Sequence, residues 1–420
     1  MITRDDGHWL SMRGVGAWLA MSVLLLCAWA PQGHAQAACD ARSLGLTTDA
    51  ADNSAALTKV LAACAGQKIQ LAPGTYSFRP SGYVQGFTVA NGTILEGAGA
   101  DSATPTVFRV ADEGTFASML WIRNASHVAI RGIRFEGSHF DSGCGRGLDY
   151  GHAIYLESDA AVPASVEDVV IAGNVFKDFN GLSWVTLNAR DGSPGIGLNS
   201  QIAIDKNSFL SDASLAGGCQ HLGIGYSVAM ISIHGSDESA RGMIENVSVS
   251  ANLFEAAYVK QAVAIWSDTA RINVQSNTIR GDGVGLPPAS GELGRYAIVI
   301  YDSAHEKPGL LPSDVHVVGN TIENPVSCGV YVAAARKIEI SGNRISGQSD
   351  PHDVTLPKGG IALNHAEESV VSGNELRNNH IGITVVAGSV RLESNTIVPQ
   401  ADGIRMKIWR SANAPPEIQR

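Results

Sequence analysis

Four polar side chains each follow the last apolar residue of a predicted strand. They are Arg123, Glu157, Asn188 and His234. Glu157 and His234 are the titratable groups best suited to acid–base work, and Arg123 could bind or neutralise a sugar carboxylate. The pattern therefore predicts a polar site suited to an acidic carbohydrate.

Aromatic side chains flank this polar row. Trp121 and Tyr155 lie two residues before its first two members, and Trp266 and Tyr301 continue it on later strands. Flat rings cover the C–H face of a sugar and keep a polar edge in water, which predicts a saccharide-binding groove. An exposed sheet face also carries such pairs for stability alone, and that alternative stays open. Two further binding candidates lie just past their strands: Arg190 and Asp268.

A short phrase recurs along the chain, apolar-x-apolar-x-small-Asn-x-apolar. Its asparagines are Asn174, Asn207, Asn252, Asn277, Asn320, Asn343, Asn374 and Asn395. Strand-type alternation surrounds each one, and repeats of this size stack along one axis. We therefore predict an all-β fold, a parallel β-helix of about ten coils. Each Asn is expected to adopt the left-handed conformation at its bend and to hydrogen-bond the next Asn.

A second set of predicted strands positions the candidate residues. Because side chains alternate across a strand, aligning these strands on their last inward apolar residue defines two outward columns. The first column holds Arg123, Glu157, Asn188, His234, Trp266, Tyr301, Ala333 and Asn364. The second holds Trp121, Tyr155, Thr186, Ser232, Ala264, Val299, Tyr331 and Ala362. The polar and aromatic side chains therefore gather on the first half of the solenoid.

Three insertions enter these strands on one edge, at 138–151, 211–227 and 281–295. Loops on one side of a solenoid usually wall a binding groove. They bring a further set of candidate residues, namely His152, His221, Tyr226, Glu292 and Arg295.

Composition and the N-terminus indicate an exported protein. The chain has 420 residues and a net charge of −10, without a basic cluster, which argues against nucleic acid as a partner. An apolar run over 15–30 precedes the small-residue site 35–37, so residues 1–37 read as a signal peptide, with Met12 as an alternative start. We expect a secreted or periplasmic monomer without a membrane anchor after cleavage.

Export permits disulfides in the mature chain. Cys39 and Cys64 bracket a predicted helix and are expected to pair. Whether Cys144 pairs with Cys219 stays open, and Cys328, which opens an apolar strand, is expected to be a buried free thiol.

The start of the mature chain carries a family resemblance. Residues 38–66 read as a cap with a helix, residues 67–408 as the solenoid and residues 409–420 as a tail that frays. The stretches DNSAALTKVLAAC, IQLAPGTYSF and TILEGAG resemble the opening of the pectate-lyase-like superfamily. The resemblance implies a right-handed, single-stranded parallel β-helix with an N-terminal capping helix. It also implies that the strand set before each Asn phrase carries any active site.

The resemblance leaves the chemistry open, because the superfamily contains lyases, hydrolases, epimerases and non-catalytic adhesins. A polysaccharide lyase acting by β-elimination is the leading hypothesis, with parts supplied by Arg123, His234, Tyr155 and Lys260. Ca²⁺ is a conceivable cofactor. A glycoside hydrolase, a uronate epimerase and a glycan-binding surface protein are the alternatives. The stretch 350–353 resembles an epimerase motif, which we attribute to chance.

Overall fold

The computed structural model is built almost wholly from parallel strands. It describes residues 38–79, 86–110, 118–137, 151–158, 165–179, 183–189, 198–211, 229–235, 243–256, 259, 261–281, 296–302, 310–348, 358–408 and 417–419. These residues contain one helix and thirty-two strands, labelled α1 and β1 to β32 in chain order. Every named strand pairing is parallel, as coils of a β-helix require.

The strands form two hydrogen-bonded sheets. The larger sheet consists of two flanks. They form one sheet because two 14-residue strands, β24 and β26, run continuously through both. The first, here called the site flank, contains β3 (Phe87–Thr88), β6 (Ser118–Arg123), β9 (His152–Ser158), β12 (Ser183–Ala189), β15 (Ala229–His234), β18 (Gln261–Ile265), β21 (Tyr296–Tyr301), β24 (Cys328–Ser341), β26 (Gly359–Ser372), β28 (Ile381–Val385) and β31 (Ile404–Ile408). The predicted strand set is therefore confirmed, with β3 added before it.

The second flank carries the strand before each Asn bend. Besides the later halves of β24 and β26, it contains β1 (Lys68–Gln70), β4 (Ile94–Glu96), β7 (Val128–Arg131), β10 (Val166–Ala172), β13 (Leu198–Asp205), β16 (Met243–Ser250), β19 (Thr269–Gln275), β22 (Ser313–Val318), β29 (Gly388–Glu393) and β32 (Glu417–Gln419). The smaller sheet follows each bend and contains β2 (Gly74–Phe78), β5 (Thr106–Val110), β8 (Ile133–Glu136), β11 (Val175–Lys177), β14 (Ser208–Leu210), β17 (Leu253–Ala256), β20 (Thr278–Gly281), β23 (Thr321–Glu323), β25 (Arg344–Ser346), β27 (Glu375–Arg377) and β30 (Thr396–Val398).

The predicted asparagine ladder is present. The side chain of Asn277 donates from Nδ2 to the Val249 carbonyl at 2.9 Å and to Oδ1 of Asn320 at 3.0 Å. The backbone N–H of Asn277 donates to the same Oδ1 at 2.9 Å. This arrangement repeats from Asn174 to Asn395, so the buried polar groups of each bend are satisfied by the next coil.

The backbone part of the ladder prediction was wrong. The residue before each asparagine, and not the asparagine itself, has the left-handed conformation. These residues are Gly173, Lys206, Ala251, Ser276, Gly319, Gly342, Gly373 and Ser394, with φ between 51° and 63°. The physical reason is that the bend needs one positive φ, while the Asn side chain must point along the stack to meet its neighbour.

Apolar side chains fill the interior of the coils. The smaller sheet contributes a stack of phenylalanine rings, in which the Phe176 ring lies 5.2 Å from the Phe135 ring and 4.8 Å from the Phe209 ring. Phe209 lies 4.8 Å from Phe254 in turn, and all four rings are fully buried. Such a column packs each coil against the next and holds their register.

The N-terminal cap is as predicted in its main features. Helix α1 spans Ser54–Ala63 and buries Leu57, Val60 and Leu61. A disulfide joins Cys39 to Cys64. Asn53 is the N-cap residue, and its Oδ1 accepts the backbone N–H of Thr47 rather than an N–H of the helix.

Three other predictions concern the termini and the thiols. Cys328 is a buried free thiol, and burial raises its pKa well above the ordinary value. Residues Glu417–Gln419 of the predicted tail form β32 and pair with β29, so the expectation of fraying was wrong there. Cys144 and Cys219 lie outside the described residues. Within the part of the chain that is described, no helix is long and apolar enough to cross a membrane.

Candidate functional site

The strand register brings the predicted polar row together. Arg123 pairs laterally with Glu157, Glu157 with Asn188, and Asn188 with His234, each on the next coil. The neighbouring column aligns as well, with Trp121 beside Tyr155 and Tyr155 beside Thr186. Coils of a parallel sheet are separated by about 4.8 Å, so these side chains form a contiguous patch on the site flank.

Glu157 is the most deeply buried member of the row. Its residue is 2% exposed, and its Oε2 accepts a hydrogen bond from Trp121 Nε1 at 3.1 Å. Arg123 Nε lies 3.8 Å from the same oxygen, and the Arg123 guanidinium sits 5.0 Å from the centre of the Trp121 ring. The carboxylate thus fixes a cation and an aromatic ring, both half-buried, at one end of the patch.

Tyr155 is held from two sides. Asn188 donates from Nδ2 to the Tyr155 hydroxyl oxygen at 2.6 Å. The ring of His152 lies 5.2 Å from the Tyr155 ring. Tyr155 and Asn188 are half-buried, so part of each side chain remains accessible on the outer face of the flank.

His152 is a buried member of this group that the sequence had placed only among loop candidates. Its Nδ1 lies 2.5 Å from the Ser183 carbonyl oxygen and 3.0 Å from Thr186 Oγ1. A carbonyl oxygen only accepts, so Nδ1 carries the hydrogen and Nε2 is the basic nitrogen of the neutral ring. The position of His152 in strand β9, with its side chain beside Tyr155, was the signal that could have identified it.

Aromatic rings occupy the other end of the patch. Trp266 lies edge-to-face with His234 at 6.0 Å and with Tyr301 at 5.3 Å, and all three are half-buried. Gly235 lets the next coil approach His234 closely, since a Cβ there would lie 2.4 Å from the carbonyl oxygen of Asp268.

From Ala264 onward the second outward column changes character. Ala264, Val299 and Ala362 are completely buried, although they point away from the interior of the coils. They form a second apolar cluster with Tyr296, Cys328, Tyr331, Ala333 and Ala229. Burial, with smaller contributions from Cys328 and Tyr301, raises the pKa of Tyr331 to about 12. The sequence predicted that polar and aromatic side chains gather on the first half of the solenoid, and the structure adds that these outward residues are buried.

Several predicted candidates are not part of this patch. Asp268 lies in the turn after Trp266, with φ of 52°, and its backbone N–H donates to the Leu310 carbonyl. Other candidates lie outside the described residues, namely Arg190, His221, Tyr226, Lys260, Glu292, Arg295 and the stretch 350–353. Among the residues that the structure describes, no three His, Cys, Asp or Glu side chains cluster as metal ligands would.

Comparison with known proteins identifies the fold. The sequence matches the family model of the right-handed β-helix region over residues 118–345 and 261–414. No curated protein matches the sequence.

Solved structures with this fold have different activities. The surface adhesin PfbA of Streptococcus pneumoniae superposes with a TM-score of 0.59 at 14% identity, covering 88% of this chain and 93% of the adhesin. The A-module of an Azotobacter vinelandii mannuronan C-5 epimerase gives 0.51 at 13% identity, covering 90% and 99%. The catalytic unit of an α-1,3-glucanase from Streptomyces thermodiastaticus gives 0.58 at 13% identity, covering 91% and 68%. At these identities the likeness describes the fold alone.

Proposed function

Because this chain belongs to the right-handed β-helix family, we propose that its site flank binds an acidic polysaccharide and cleaves it by β-elimination. The observation that carries the proposal is the aligned row Arg123, Glu157, Asn188 and His234, with half-buried aromatic rings at both ends. Two carbohydrate enzymes with the same fold, the mannuronan epimerase and the α-1,3-glucanase, support a glycan as the ligand.

β-Elimination needs a base at the carbon next to the carboxylate and a cation that neutralises that carboxylate. Tyr155 is the base in this proposal, because Asn188 orients its hydroxyl and His152 packs against its ring. His234, one coil beyond Asn188, donates a proton to the glycosidic oxygen of the leaving sugar as the C–O bond breaks and the C=C bond forms. Arg123 neutralises the uronate carboxylate, and its side chain is 37% exposed.

Glu157 has a positioning role in this scheme. At 2% exposure it is too deep to touch a polymer directly, whereas its contacts hold Arg123 and Trp121 in place. It is also the single carboxylate in the two outward columns of the described strands. Hydrolysis uses two carboxylates on opposite sides of the scissile bond, so these columns favour elimination over hydrolysis.

The aromatic rings bind sugar units on either side of the reacting centre. Trp121 lies at the Arg123 end, and Trp266 and Tyr301 lie at the His234 end. The proposal extends to export, since the Cys39–Cys64 disulfide is compatible with an oxidising compartment. The mature chain then acts outside the cytoplasm on a polymer too large to enter the cell.

The test incubates the purified mature protein with polygalacturonate, alginate and glucuronate-containing polymers. A lyase produces the ultraviolet absorbance of an unsaturated uronate together with new reducing ends. A hydrolase produces reducing ends without that absorbance, and an epimerase changes the C5 configuration without shortening the chain. Binding without any of these changes identifies a glycan-binding protein and refutes the proposal.

Matched tyrosine variants assign the base. Tyr155→Phe removes only the hydroxyl, and we expect kcat to fall by roughly 100-fold or more with little change in KM. Tyr301→Phe is the control, because it keeps the stacking ring, and we expect less than about a tenfold effect. Equal losses in the two variants contradict the role of Tyr155.

A further inference from the structure

A polar groove lies on the second flank, away from the row of candidate catalytic residues. It has a volume of about 350 Å³ and spans β16, β19 and β22. Its lining residues are Asn246, Val247, Ser248, Arg271, Asn273, Asp314 and His316. Ligand sites begin at roughly this volume.

The floor of the groove offers hydrogen-bonding groups. Ser248 and Asn273 are lateral neighbours on adjacent coils, and both side chains are half-buried. Neither side chain has a hydrogen-bond partner among the described residues. An amide and a hydroxyl side by side present two donors from Asn273, one from Ser248 and an acceptor oxygen on each.

The walls of the groove are held in place by their own contacts. On one side Arg271 pairs with Glu245 and donates from Nε to Asn246 Oδ1 at 2.8 Å. Asn246 and Arg271 both have φ of 54°, so the left-handed step recurs at this edge and keeps their side chains in one row.

The opposite wall is a histidine between two carboxylates. His316 Nε2 lies 3.0 Å from Asp314 Oδ1, and its Nδ1 lies 2.9 Å from Glu339 Oε2. Glu339 Oε1 also accepts the Ser341 hydroxyl at 2.7 Å. Both ring nitrogens therefore donate, and Asp314 keeps oxygen lone pairs for a further donor.

The charge of the groove selects among ligands. Three carboxylates surround it, Glu245, Asp314 and Glu339, against Arg271 and at most one further cation, His316. The surplus of negative charge disfavours a uronate, while amide, hydroxyl and carboxylate groups together suit the hydroxyls of an uncharged sugar. Among the described residues that line the groove there is no Phe, Tyr or Trp, so recognition rests on hydrogen bonds.

We propose that this groove is a second carbohydrate site, which binds a neutral oligosaccharide through Asn273, Ser248 and Asp314. Binding in the groove does not depend on the activity proposed for the site flank. Its effect rests on that proposed function, because a mixed polysaccharide with neutral and acidic sugars is then held on the protein by two attachments.

Calorimetric titration with neutral oligosaccharides of glucose, mannose and xylose tests this site, with an oligouronate as the comparison. We expect the wild type to bind a neutral oligosaccharide in the millimolar range or tighter. The double variant Ser248→Ala, Asn273→Ala should lose roughly tenfold or more in affinity, because two hydrogen bonds are removed. Ser372→Ala, on the same flank but outside the groove, is the matched control and should bind as the wild type does.

Trp266→Ala separates the two proposals, because it weakens binding on the site flank and should leave the neutral-sugar affinity unchanged. The groove proposal is overturned if the wild type binds no neutral oligosaccharide at millimolar concentration. It is also overturned if the double variant binds as the wild type does, or if the oligouronate competes for the groove more strongly. Loss of lyase activity alone does not affect it.

Discussion

Replacing a central rung of the asparagine ladder should destabilise the solenoid strongly. Asn320 Oδ1 accepts both the backbone N–H and the Nδ2 of Asn277, at 2.9 and 3.0 Å. Its own Nδ2 donates to the Val274 carbonyl at 2.8 Å and to Asn343 Oδ1 at 3.0 Å. Asn320 is fully buried, so water cannot replace these four bonds. At about 1 kcal/mol for each, Asn320→Ala should cost about 4 kcal/mol.

The end of the ladder supplies the matched control. Asn395 makes three such bonds, to the backbone N–H and Nδ2 of Asn374 and to the Val371 carbonyl, and it is only partly buried. Water can therefore satisfy much of what Asn395→Ala removes, and we expect a cost of about 1–2 kcal/mol.

Two measurements check the ladder prediction. Denaturant unfolding compares the free energies of the two variants, and hydrogen exchange reports the Asn277 amide, which should lose protection in Asn320→Ala because its acceptor is gone. Equal costs within about 0.5 kcal/mol for the central and terminal variants refute the reasoning. An unchanged exchange rate at Asn277 refutes it as well.

Three further predictions concern the cap, the bend and the second flank. Cys64→Ser removes the disulfide, which joins cysteines 25 residues apart in the sequence. The free energy of unfolding, measured by denaturation, should fall by about 3.5 kcal/mol. Ala251→Gly removes a Cβ from a residue at φ of 54°. The free energy of unfolding, measured by calorimetry, should rise by about 1 kcal/mol. Partial burial by itself lowers the pKa of His316, but hydrogen bonds and charge from Glu339 and Asp314 outweigh it and raise the pKa. The stability advantage of the wild type over His316→Gln should therefore be full below pH about 6.5 and disappear as pH rises through the folded-state pKa.

Each of these predictions has a control. Reduced wild type should match Cys64→Ser, and a fully stable reduced protein contradicts the first prediction. Ala203→Gly, in a strand residue without positive φ, should destabilise the protein, so stabilisation by both glycines would show that the bend is not responsible. In the third, each variant measurement is compared with the wild type at the same pH, and a stability difference that does not change with pH contradicts the prediction.

The stabilisation by the pair His316 and Glu339 is also lost at low pH. The pKa of Glu339 is lowered by the hydrogen bond from Ser341 and next by that from His316. Because a lowered carboxyl pKa stabilises the folded state above the unfolded value, this contribution is lost as pH falls through the folded pKa of Glu339. Stabilisation by the pair is therefore confined between the two folded pKa values.

Much of the site could be aligned from the sequence. The order Arg123, Glu157, Asn188 and His234 followed from strand alternation, and the observed register agrees with it. The burial of Glu157 did not follow, because it depends on Trp121, which is 36 residues away in sequence and adjacent in space. The types of residue at the site could therefore be predicted from the sequence, whereas the burial and the contacts of each side chain could not.

The same division applies to the bends. The asparagine ladder was visible in the repeated phrase, whereas the positive φ belongs to the residue before it, where Lys206, Ala251 and Ser276 give no compositional sign. The groove on the second flank could not be predicted from the sequence either. Its residues come from three strands whose alternating polar positions are typical of any solvated sheet.

The sequence by itself determined the β-helix, its coil register and the row of polar residues on the site flank. These follow from the local alternation of apolar residues and from a bend residue that recurs along the stack. The sequence of each repeat therefore specifies the strands and the bend of its own coil. Only the tertiary structure decided which outward residues are covered, which hold one another and where a groove opens. Val299 and His234 stand on the same flank, yet one is fully buried and the other half-exposed, because burial depends on side chains brought in from distant parts of the chain.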